Sequence, residues 1–128
     1  MVSYFRFENL EVWKLSREFV SRIYSETKHF PESEKFGLTL QVRRAALSIT
    51  LNITEGSDRK SDREFIRFLL IALGSLEEVV AGMYVALDQQ FITREKFDIL
   101  YDASHVLKAK LNALINTLNA AEKQKHEH

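Results

Sequence analysis

The chain has 128 residues, with 18 Lys and Arg against 18 Asp and Glu, no cysteine, one proline and four glycines. Balanced charge removes any global pull on nucleic acid, and the lack of cysteine excludes a disulfide framework or a thiolate metal site. The scarcity of proline and glycine excludes a β-protein, which needs a turn signal about every 8–12 residues, while a chain of this size buries about two-thirds of its unfolded surface, enough for one core. The first predicted helix covers residues 9–28, with Val12, Trp13, Phe19, Val20, Ile23 and Tyr24 on one broad face at three-and-four spacing, and Pro31 ends it. The second covers 33–55, with Val42, Ala45, Ala46, Ile49 and Ile53 as its stripe and Gly56 placed for a left-handed C-terminal cap. Ser61-Asp62-Arg63-Glu64 reads as a capping box that opens a third helix over 61–88, whose inward residues are Phe65, Phe68, Leu69, Ala72, Leu76, Val79, Val80, Met83 and Leu87. Thr93 caps a fourth helix over 93–122, in which Phe97, Leu100, Ser104, Leu107, Leu111, Leu114, Leu118 and Ala121 follow a 3-4-3-4 pattern, and residues 123–128 form a mobile tail.

Four amphipathic helices with short connections are most readily buried as an all-α, antiparallel up-down-up-down four-helix bundle, read as one domain over 1–128. The longest strictly apolar run, Phe68–Leu73, is far short of the roughly 20 residues that cross a bilayer. With no charged-then-apolar leader, a cytoplasmic address and no membrane partner are expected. Two helices are apolar beyond their inward stripes. Leu40, Leu47 and Leu51 on the second helix and Ile66, Leu70 and Leu73 on the third define a surface of about several hundred Å², the size of an interface, so self-association is expected. The competing expectation is that close packing at Gly74-Ser75 and Gly82 buries both stripes within one subunit.

The chemistry-bearing residues do not form a catalytic constellation. His29, His105, His126 and His128 lack ligand spacing, and Glu77 and Glu78, adjacent on a helix, point about 100° apart and cannot share a proton. One of these carboxylates is expected to pair with Arg43 or Arg44. No phosphate-cradling glycine loop and no nucleophile elbow occur, so a non-enzyme without cofactor or metal is expected. Residues 41–67 carry six basic and four acidic side chains. Arg59, Lys60, Arg63 and Arg67, with Arg43 and Arg44 one helix away, form a candidate phosphate-binding surface with the N–H donors that open the third helix. Asp58, Asp62 and Glu64 dilute it.

Phe7, Leu10, Val12-Trp13, Phe30-Pro31, Phe36-Gly37-Leu38, the stretch from Gln41 to Gly56, Ser61, Phe65, Phe68-Leu69 and Ala72-Leu73-Gly74-Ser75 with Glu78 resemble the four-helix-bundle proteins encoded in intervening sequences of bacterial 23S ribosomal RNA genes. Thr54 stands where that family more often has Ala. The resemblance implies a left-handed up-down-up-down bundle, a ring-like homopentamer and no established biochemical activity. It extends distantly to the accessory variability proteins of diversity-generating retroelements, pentameric bundles that bind nucleic acid and a reverse transcriptase, from whose basic character this neutral chain departs. Two function classes follow: an oligomeric accessory that binds RNA or DNA weakly and without sequence preference, or a structural module whose protein partner docks on Phe5, Phe7 and the Leu40/Leu47/Leu51 stripe.

Overall fold

Four helices, α1 (Glu11–Thr27), α2 (Leu38–Ser57), α3 (Asp62–Asp88) and α4 (Arg94–His126), succeed one another in a computed structural model that describes residues 2–126. Each neighbouring pair runs antiparallel. Trp13 meets Thr54 and Arg43 meets Thr27 across α1 and α2, Ser48 meets Ser75 across α2 and α3, and Asp62 meets Lys125 while Tyr84 meets Phe97 across α3 and α4. The ion pairs Glu11–Lys110 and Glu26–Lys96 close the circuit between α1 and α4. The architecture is thus the expected all-α up-down bundle, with α1 diagonal to α3 and α2 diagonal to α4.

The helix ends follow local chemistry. A 3-10 turn at Arg6–Asn9 precedes α1, its start pinned by the Phe5 N–H donating to Glu8 Oε1 at 3.2 Å. The expected start of the second helix at residue 33 is displaced: Glu32–Glu34 form a separate 3-10 turn, and α2 begins only after Gly37, with Glu34 Oε1 accepting from the Leu38 N–H at 3.0 Å. Ser61 caps α3, its hydroxyl accepting from the Glu64 N–H at 3.1 Å. The Glu64 carboxylate is instead engaged by Arg67 at 3.0 Å, so the capping box is one-sided. Thr93 caps α4 by accepting from the Lys96 N–H at 3.2 Å. Gln90, with φ of 63°, closes α3: its N–H donates to Leu87 and that of Phe91 to Ala86, a Schellman pairing built without the usual glycine. At its far end α4 stays helical through His126, across residues expected to be a mobile tail, while Glu127 and His128 lie outside the described residues.

The core holds the predicted stripes with small rotations. All five α2 residues are buried; on α3 Ala86 rather than Leu87, and on α4 Ile115 rather than Leu114, turn fully inward. A straight helix drifts relative to a seven-residue repeat, so the inner position shifts by one along α4. Ser16 is also fully buried, its hydroxyl donating to the Trp13 carbonyl and accepting from Thr50 at 3.0 Å. By length and composition α3 is apolar enough to cross a membrane, which a search for unbroken apolar runs misses because Gly74, Ser75, Glu77 and Glu78 interrupt it. Here its inward residues pack between α2 and α4.

Gly56 is not a left-handed cap. No described glycine has positive φ, and Gly56 lies inside α2, where an added Cβ would stand 2.6 Å from Phe68 Cβ. A Cβ at Gly82 would likewise stand 2.6 Å from Val42 Cγ2, whereas Gly74 faces open space. Gly56→Ala therefore forces two helix backbones apart and is expected to cost about 1–3 kcal/mol. Ser61→Ala removes one helix-start acceptor and is expected to cost about 1 kcal/mol. Denaturant unfolding at fixed protein concentration checks both; an unchanged midpoint for Gly56→Ala would contradict the close approach.

Candidate functional site

The six basic residues predicted to gather near the α2–α3 turn fall into three groups. Arg43 turns toward α1, its Nε donating to Thr27 Oγ1 at 2.8 Å and its Nη2 to the Tyr24 carbonyl at 3.3 Å, with the guanidinium 4.7 Å above the Tyr24 ring. Arg44 is exposed on α2, roughly 20 Å along the helix axis from the turn at about 1.5 Å per residue. Neither joins the turn, because α2 runs away from it. Arg59 and Arg67 flank the Phe68 ring at 5.0 and 4.7 Å from its centroid, and each is bonded to a carboxylate, Glu55 at 2.9 Å and Glu64 at 3.0 Å. Lys60 and Arg63 are exposed, and among the described residues neither has an ion-pair partner within 4.0 Å.

Two cations that the turn's sequence does not reveal arrive at the same end of the bundle. Lys125 Nζ lies 3.4 Å from Asp62 Oδ2, so the last turns of α4 bring their charge to the start of α3. Arg6 donates from Nη1 to the Ser57 carbonyl at 3.0 Å and lies 5.3 Å over the Phe65 ring. The heptad stripe reaching Leu118 and Ala121 was the available signal for Lys125, since a helix of that length spans α3. For Arg6 no periodic signal exists.

The predicted apolar face divides as well. Leu47 and Leu51 on α2 are 42% and 54% exposed, and on α3 Leu70 and Ile71 are 54% and 42% exposed. Ile66 and Leu73 are half-buried and pack against the core of their own subunit, and Leu40 is half-buried. Leu70 shares the α4-facing shoulder of α3 with Glu77, which pairs with Lys108, and Tyr84, which packs on Phe97. Ile71, absent from the predicted set, takes the place expected of Ile66 and Leu73. Between α2 and α3 runs a polar seam in which Ser48 and Ser75 hydroxyls lie 2.9 Å apart and Asn52 Nδ2 donates to Ser48. Close packing at Gly82 therefore does not cover the outer stripes.

Other candidates stand apart from one another. Glu77 pairs with Lys108 at 3.9 Å rather than with Arg43 or Arg44. His29 and His105 are exposed, and His126 Nε2 lies 2.9 Å from Glu122. Among the described residues no three His, Cys, Asp or Glu side chains are grouped to hold a metal ion. Thr54 accepts from the Trp13 indole N–H at 3.0 Å, so the hydroxyl that replaces the expected Ala satisfies a half-buried donor.

The fold and surface define a helical bundle with a free apolar flank and a basic end. The chain belongs to the 23S rRNA-intervening sequence protein family, whose sequence model matches residues 8–113. It is similar to a solved protein of unknown function from the S23 ribosomal protein family of Bacteroides thetaiotaomicron, with a TM-score of 0.76 and 30% identity, covering 81% of this chain and 97% of that one. No curated protein matches the chain.

Structural and free cations are separable by mutation. Arg43→Met removes two hydrogen bonds and a cation–π contact and is expected to lower stability by about 1–2 kcal/mol. Arg63→Gln is expected to change it by less than about 0.5 kcal/mol. Unfolding curves measured at equal concentration check the contrast, and equal effects would contradict this division.

Proposed function

We propose that this chain is a non-catalytic, self-assembling four-helix bundle in the cytoplasm, with five subunits as the expected number and the outer face of α2 and α3 as its assembly surface. The observation that carries this reading is the exposure of Leu47, Leu51 and Ile71, each about half open to solvent on two adjacent helices. Burying the exposed half of three aliphatic side chains is worth on the order of 2–5 kcal/mol per subunit before the costs of association. A surface of this kind is normally covered.

A second reading, favoured by unpaired Lys60 and Arg63 beside Lys125 and Arg6, is that the basic end contacts nucleic-acid phosphates. Phosphate contacts position a partner without specifying its sequence, and zero net charge limits this to weak, salt-sensitive binding. An assembly repeats the contact in each subunit and raises its avidity.

Sedimentation equilibrium at tens of micromolar (about 10–100 µM, where an interface of ordinary affinity is filled) is expected to give a defined oligomer. Leu51→Asp with Ile71→Asp is expected to yield folded monomers, because unpaired charge in a desolvated contact is costly. A monomeric wild type overturns the assembly. For the second reading, a gel shift with duplex RNA at about 50 mM salt is expected to show binding that Lys60→Gln with Arg63→Gln weakens; equal binding by that variant contradicts it.

A further inference from the structure

The N-terminal arm ends a column of aromatic rings beside the basic turn. Phe7 packs on Trp13 with ring centroids 4.9 Å apart, and Phe5 stacks on Phe7 at 5.7 Å with an interplanar angle of 21°. The column stops there: Phe5 is 63% and Tyr4 89% exposed. Next to it, a cleft of about 530 Å³ lies between the arm and the end of α2, lined by Tyr4, Phe5, Arg6, Asp58 and Arg59 among others.

We propose that this cleft binds an unpaired nucleobase of a single-stranded nucleic acid, stacked on Phe5 and Tyr4, with the adjoining phosphates held at Lys60 and Arg63. The inference rests on the phosphate-contact reading of the basic end and adds to it the class of strand. Three features carry it. An exposed aromatic face at the end of an existing stack accepts any base, since every base has a π-face. The two cleft guanidiniums are held in place, Arg6 by the Ser57 carbonyl and the Phe65 ring, Arg59 by Glu55 and the Phe68 ring, so a ligand need not order them.

The third feature is the division of charge. Within the cleft Glu55 and Asp58 offset Arg6 and Arg59, which disfavours a phosphate there but leaves carboxylate acceptors for the N–H groups of a base edge. The uncompensated cations, Lys60 and Arg63, follow Arg59 in the chain, outside the cleft lining. Base inside and phosphate outside is the arrangement that a single strand can adopt and a duplex, with its bases stacked and paired, cannot.

Fluorescence anisotropy of labelled RNA tests this on the full chain at about 50 mM salt. The probes are an unstructured oligoadenylate of about 12 nucleotides, within the range of single-strand site sizes, and an RNA duplex of similar length. The single strand is expected to bind more tightly than the duplex. Tyr4→Ala with Phe5→Ala is expected to weaken single-strand binding about tenfold, the loss of one to two stacking contacts, and to leave duplex binding unchanged. Lys60→Gln with Arg63→Gln is expected to weaken both. Equal affinity for the two probes, or single-strand binding that the Tyr4/Phe5 variant retains in full, overturns the cleft while leaving the phosphate contact standing; no binding of either probe overturns both. Both arm residues are exposed, so circular dichroism of the variant is expected to match the wild type, and any lost affinity is then local.

Discussion

The rest of the structure depends on how closely α2 and α3 approach each other. Gly56 and Gly82 each stand where a Cβ would meet the facing helix at 2.6 Å, and they lie at opposite ends of the α2–α3 seam. Between them the Ser48 and Ser75 hydroxyls pair across the seam, Asn52 donates to Ser48, and Ala45, Ala46, Ile49 and Ala72 belong to the buried core of the two helices. Two backbones held this near leave little room between them for large side chains. Leu47, Leu51 and Ile71 fall out of phase with the buried stripes of α2 and α3 and stand on the outer flank, about half exposed in a lone subunit. Phe65 and Phe68, packed on Gly56, fix where α3 begins relative to the end of α2.

That last constraint also shapes the basic end. With Phe68 anchored against Gly56, its ring lies beneath both Arg59 and Arg67, and each guanidinium reaches a carboxylate one turn away along its own chain segment. The cations that remain free are the two the aromatic ring does not hold. Phe65, the other residue against Gly56, supports Arg6 and so seats the N-terminal arm on the end of α2. The exposed apolar flank and the basic end therefore both border the same α2–α3 contact.

Much of this was legible in the sequence, and the failures have physical causes. The buried stripe of α2 and the caps at Ser61 and Thr93 follow from three-and-four spacing and from side-chain oxygens placed before apolar runs. Gly56 was legible as special but not for the right reason, because a glycine at a helix end and a glycine at a helix crossing look alike until the facing helix is known. The gathering of six basic residues failed because Arg43 is drawn to Thr27 and Tyr24, partners 16 and 19 residues away in sequence. Ile71 was missed because adjacent helical residues point to different shoulders, and only the facing helices decide which shoulder stays open. Lys125 was reachable only through the length of the α4 stripe, and Arg6 arrives through a contact 51 residues away in sequence that no local pattern encodes.

The most direct test of the assembly face uses the natural lack of cysteine. Leu51→Cys creates a single thiol at the centre of the α2–α3 flank, and its rate of modification by a small alkylating reagent reports whether that position is open to solvent. If the face is covered by a second copy, labelling is slow at tens of micromolar and speeds up on dilution into the nanomolar range, where an interface of about micromolar affinity empties. A rate that is fast and independent of protein concentration would show that the flank stays exposed, and would contradict the account.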